Sequence, residues 1–107
     1  MNKELRKTFA LMRDHNVLYC AICGNLIGKK DKITLDHHIP KSKGGESNIG
    51  NLLPAHKICN EIKADLMPDE FEACKEKRFI YALGNWKLKY QDRRIIKQAL
   101  CNFARQK

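Results

Sequence analysis

Two short pairs of soft metal ligands constrain this 107-residue chain more than anything else in it. Cys20 and Cys23 stand three apart in "CAIC", and His56 and Cys59 stand three apart in "HKIC", with 32 residues between the pairs. Tetrahedral zinc sites recruit their ligands in this way, as two close pairs that the fold then brings together. Thiolate and imidazole are also the donors zinc prefers. Buried thiols and a surface histidine with no metal role would explain neither spacing. The sequence therefore predicts a structural zinc on Cys20, Cys23, His56 and Cys59. A core of this size gains usefully from metal-binding energy, because a small domain buries only a modest share of its surface.

The remaining cysteines argue the same way. Five in all is an odd number, and no secretory leader is legible in "MNKELRKTFALMRDHN", which charge interrupts throughout. A disulfide framework is not expected, and the default compartment is the cytoplasm. Cys74 and Cys101 fall on apolar helical faces and are expected as packed thiols. No apolar run approaches the roughly 20 residues that a membrane span requires. Lys and Arg number 21 against 12 Asp and Glu, a formal charge of +9. That surplus favours a polyanionic partner through counterion release, although a solubilising surface charge accounts for it equally well.

Length allows one domain, residues 1–107, with a motif core at 17–66 and extensions at 1–16 and 67–107. Leu5, Phe9 and Met12 recur at helical steps, so residues 3–14 are expected to form an amphipathic helix. "VLYCAICGNLI" reads as a short strand entering a cysteine knuckle that Gly24 turns, and "KITLD" reads as a strand. "KSKGGESN" is a loop, and "AHKICNEIKAD" is a short helix. Pro68 with Asp69 and Glu70 opens another helix, which Gly84 stops. In the tail Ile95, Ile96, Ala99, Leu100 and Phe103 share one side, giving a packed helix with a basic outer face.

Between the zinc pairs the chain reads "DHHIP", "KSKGG" and "NLL", followed by "HKICNEIK". With "CAIC" in front, this succession resembles the HNH nuclease family over residues 20–63, in order, spacing and residue type. The resemblance implies an α+β fold: a small ββα-metal, treble-clef-like core with a structural zinc, flanked by N-terminal and C-terminal helices. It implies a metal-dependent endonuclease that hydrolyses phosphodiester bonds of DNA, with RNA not excluded, leaving 5′-phosphate and 3′-hydroxyl ends. It also implies a phage or mobile-element setting and a protein partner from it.

The family pattern assigns roles by position. Strict strand alternation would favour His38 as the partner of Asp36, whereas the resemblance selects His37, directly after the aspartate, as general base. Asn51 matches the middle asparagine that ties down the loop. The last histidine of the signature is replaced by Asn60, which with Asp36 would offer two hard oxygens to Mg²⁺ or Mn²⁺. His56 and Asn60, four apart, could instead hold that ion together, but the zinc would then keep only three ligands. His38, Lys41, Lys43 and Lys63 are the expected nucleic-acid contacts. Two other readings stand beside the nuclease. One is a zinc-stabilised nucleic-acid-binding module that does not cut, and the other is a zinc-knuckle adaptor docking through its C-terminal helices.

Overall fold

The computed structural model describes residues 2–107. Its elements run α1 (Asn2–Asp14), β1 (Ile33–His37), a 3₁₀ turn (Lys41–Lys43), β2 (Leu52–His56), α2 (Lys57–Lys63), α3 (Pro68–Leu83) and α4 (Tyr90–Arg105). The two strands pair antiparallel from Ile33 opposite His56 to His37 opposite Leu52. The α+β class and the flanking helices are thus as the sequence implies. No described helix is long and apolar enough to cross a membrane.

β2 is the element that the sequence pattern misses. "LLPAH" does not alternate, and Pro54 has no N–H for a ladder. A two-stranded sheet tolerates it because each strand has a free edge. On that edge the Pro54 carbonyl accepts a hydrogen bond from Ala21 N at 2.9 Å, which fastens the cysteine knuckle to the sheet. Ala55 and His56 therefore belong to the strand, and α2 begins two residues later than its sequence indicates.

One apolar cluster joins the knuckle to the helices. Leu18 and Ile27 from the knuckle pack with Ile62 of α2, Phe71 and Phe79 of α3, and Ile95, Ile96, Ala99 and Phe103 of α4. Phe79 is fully buried and meets the Phe103 ring edge-on at 5.1 Å. A buried Phe of this kind contributes about 2–3 kcal/mol through area removed from water. Phe9 and Met12 bring α1 against the same cluster from its margin. Met67 N donates to Glu70 Oε1 at 2.8 Å, closing the first turn of α3. Cys101, expected to be packed, is exposed; it lies on the side of α4 away from Ile95, Ile96, Ala99 and Phe103. Cys74 is partly buried.

Candidate metal centre and active-site cleft

The knuckle and the start of α2 meet at the four residues singled out by their spacing. One ligand atom from each of Cys20, Cys23, His56 and Cys59 lies within 4.8 Å of every other, and all four residues are buried. The Nδ1 atom of His56 is 3.4 Å from Cys23 Sγ and 3.7 Å from Cys59 Sγ. Zinc–sulfur and zinc–nitrogen bond lengths predict tetrahedral edges of about 3.5–3.8 Å. The cluster fits a structural zinc: four donors, closed to solvent, with no coordination position left for water. Backbone N–H groups of Ile22, Cys23 and His56 point at Cys20 Sγ from 3.4–3.5 Å, as they do toward a thiolate.

Charge in the cluster also calls for a cation. Hydrogen bonds from Cys23 and Cys59 hold the Cys20 thiol far below its ordinary range, against burial. The Cys59 thiol is driven up by its hydrogen bonds to Cys20 and Cys23 and by burial. Burial opposes the charge on His56, yet hydrogen bonds and attraction from Cys20 and Cys23 raise its pKa to about 10. The imidazole and the Cys20 and Cys59 thiols so placed cannot all shed their protons unaided, and a divalent ion resolves this by taking the protons' place.

The sequence gives no warning of Asp31. Its carboxylate is buried, with Oδ2 3.6 Å from His56 Nε2 and 2.8 Å from Gly28 N. Oδ1 accepts from Arg94 at 3.2 Å and from Gln91, both on α4. The carboxylate thus faces the ring nitrogen that is turned away from the thiols, which fixes the ring's orientation. An aspartate in "GKKDK" carries no spacing signal, because its side-chain partners His56, Gln91 and Arg94 lie 25 to 63 residues further along.

Beyond the zinc ligands, β1 and α2 face each other across a cleft of about 230 Å³. Its lining includes Asp36, His37, Lys41 and Asn60. Thr34 and Asp36, two apart on β1, both turn toward α2. The Thr34 hydroxyl donates to Ala55 O and accepts from Asn60 Nδ2, each at 3.2 Å. The Asn60 carbonyl oxygen remains for another partner. His37 turns the other way, toward the loop, where its Nε2 meets Ser47 Oγ at 2.9 Å. Ser47 and Thr34 are two further residues that spacing does not reveal.

Asn51 closes this loop. Its Oδ1 accepts from Ile39 N at 2.8 Å, while Nδ2 donates to the carbonyls of Ile39 and Glu46 at 3.0 Å. The paired glycines serve the same closure in different ways. Gly44 has φ +91°, which ends the 3₁₀ turn, and a Cβ on Gly45 would stand 1.8 Å from Ile39 O and 2.9 Å from Asn51 Nδ2. Gly45→Ala is therefore expected to pry the loop from Asn51 at a cost of about 1–3 kcal/mol. The check is thermal melting together with protease sensitivity between residues 39 and 51, and an unchanged profile would remove Gly45 from the closure.

The four residues expected on nucleic acid are placed unequally. His38 is exposed, and Lys41 is exposed at the rim of the cleft. Lys43, also exposed, pairs with Glu70 of α3 at 3.1 Å. Lys63 faces inward instead of toward solvent. It is only 3% exposed, and its Nζ lies 2.9 and 3.1 Å from the two carboxylate oxygens of Asp36 and 3.0 Å from His37 O. Burial of Asp36, itself 3% exposed, explains the difference: an unpaired carboxylate there would be costly, and α2 supplies the neutralising ammonium.

Residues 20–66 match the family model described as HNH endonuclease. Over this segment the chain is similar to HNH endonuclease domains. The match covers both zinc pairs, the cleft residues Asp36, His37 and Asn60, and the loop residue Asn51. It points to a nuclease-type or nucleic-acid-related function for this segment. No match was found among curated proteins or among solved structures. The cleft's donors, one carboxylate and one amide oxygen, have the chemistry that a hard divalent ion requires. The carboxylate already holds a cation, the Lys63 ammonium, in that place.

Proposed function

We propose that this protein is a metal-dependent HNH endonuclease that hydrolyses phosphodiester bonds of DNA. The observation that carries the reading is the sharing of one open cleft by His37, Asp36 and Asn60, with Lys41 at its edge. In this reading His37 is the general base. In the tautomer that carries its proton on Nε2, the ring donates to Ser47 Oγ and the lone pair on Nδ1 is left to accept a proton from the attacking water. Asn51 orients the segment by fastening Ile39, two residues on. Thr34 sets the Asn60 amide so that its oxygen and the Asp36 carboxylate can hold Mg²⁺ or Mn²⁺. Such an ion supplies positive charge to the scissile phosphate and the departing 3′ oxygen. Lys41 and His38 approach the flanking backbone, and a phage or mobile-element setting with its own protein partner belongs to the same reading.

A second reading, a nucleic-acid-binding module that does not cut, draws on Lys63. Its ammonium engages both oxygens of Asp36, and an ion at that carboxylate has to share it or displace it. Supercoiled plasmid separates the two. Zinc-loaded protein is incubated with Mg²⁺, with Mn²⁺, or with neither, because a strong chelator would also strip the zinc. Nicked or linear product that depends on the added ion is expected. Retarded but uncut plasmid under all three conditions would establish the binding module instead.

A further inference from the structure

The corner between α3 and α4 exposes the wrong residues for a solvent face. Tyr81 is 88% exposed, Trp86 83% and Tyr90 82%, whereas Phe71, Phe79 and Phe103 are all buried. Large aromatic side chains left in water within ten residues of one another mark a surface that meets something. The corner itself is well tied. Arg93 donates from Nη1 to Leu83 O at 3.0 Å and from Nη2 to Asn85 O at 3.2 Å, and Leu88 N donates to Asn85 O at 3.1 Å. The aromatic rings therefore project from a fixed backbone.

Charge says what kind of partner fits. From Lys77 to Gln91 the chain contains no carboxylate, but it carries Lys77, Arg78, Lys87 and Lys89. Lys87 Nζ stands 5.3 Å from the centre of the Trp86 ring. Aromatic faces interleaved with cations take stacked bases on the rings and phosphates on the ammonium groups. A duplex hides its base faces and offers nothing to stack, so the partner has unpaired bases. The surface also extends along α3. A groove of about 450 Å³ lined by Ile62, Lys77, Arg78 and Tyr81 runs between α2 and α3, and Arg78 Nε donates to Ile62 O at 2.7 Å. Ile62 stands roughly 200° around α2 from Asn60, so the groove and the cleft lie on different faces of that helix.

We infer that Tyr81, Trp86 and Tyr90, with Lys77, Lys87 and Lys89, form a stacking platform for single-stranded DNA at the α3–α4 corner. The inference rests on the nucleic-acid reading of the domain and not on cleavage. Trp86 is the chain's one tryptophan, so it reports on its own site. Zinc-loaded protein without Mg²⁺ or Mn²⁺ is titrated with oligothymidylate and, separately, with a blunt duplex of equal length. Oligothymidylate is expected to quench the Trp86 emission and the duplex to leave it nearly unchanged. By anisotropy of a labelled oligothymidylate, Trp86→Ala should bind about 5- to 100-fold more weakly, while Trp86→Phe stays near wild type. Zinc content and melting temperature should not change in either variant. Wild-type affinity in Trp86→Ala, or equal quenching by the duplex, would overturn the platform. A dimer in sedimentation that Trp86→Ala dissolves would reassign the corner to a second copy of the chain. Plasmid left uncut in the presence of added ions, with quenching intact, would sink the nuclease reading and leave the platform standing.

Discussion

Cys23→Ser is expected to yield a chain with no cooperative thermal transition under conditions where the wild type melts sharply. Cys23 is buried and its sulfur lies 3.4 Å from His56 Nδ1, so its loss opens the cluster at the centre of the fold. A structural zinc site supplies apparent binding energy of about 10–16 kcal/mol at neutral pH, comparable to or larger than the whole stability of a domain, about 5–15 kcal/mol. The cluster bridges the knuckle to β2 and α2, and the apolar residues around it, Leu18, Ile27 and Ile62, belong to the same core. Removing zinc from the wild type with a chelator should have the same result. So should acid: zinc binding displaces protons from the thiols and from His56, so affinity falls as pH falls. Circular dichroism melts with metal analysis check all three, and a Cys23→Ser protein that melts like the wild type would show the metal to be dispensable.

His37→Ala is expected to act in the opposite sense, destroying activity without touching the fold. A general base contributes about 10²- to 10⁴-fold to rate, which takes plasmid nicking to the limit of detection. Its imidazole is half-buried at the end of β1 and makes one hydrogen bond, to Ser47, so its removal should shift melting little. Zinc content should remain that of the wild type, because the ring takes no part in the cluster. Cleavage by His37→Ala at an undiminished rate would remove the assignment. So would an inactive His37→Ala protein that has also lost its zinc or its transition, since it would then have failed for structural reasons.

The two groups of residues were legible in the sequence to different degrees, for physical reasons. Zinc ligands come as close pairs because the coordination sphere is small, and "CAIC" and "HKIC" display that constraint directly. The helices were visible because Leu5, Phe9 and Met12, or Ile95, Ala99 and Phe103, repeat a period set by backbone geometry. β2 was hidden because its five residues neither alternate nor tolerate a full ladder at Pro54. Asp31, Thr34 and Ser47 were hidden for another reason. Each is a single polar residue whose partner is fixed by strand register and helix docking, and local composition holds no trace of it. Lys63 shows how such a partner changes meaning: a lysine on a short helix reads as solvated until Asp36, 27 residues earlier, is found buried beside it. The choice of His37 required the family pattern, since alternation alone favours His38.

Asp31 joins parts of the chain that are distant in sequence. Its side chain touches His56, the backbone at Gly28 and two residues of α4, and its carbonyl accepts from Arg13 of α1 at 3.4 Å. Seating of the C-terminal helix and orientation of the metal-binding imidazole are therefore a single equilibrium, not two. A disturbance that unseats the helix reaches the ion through one carboxylate, although no helix residue is a ligand.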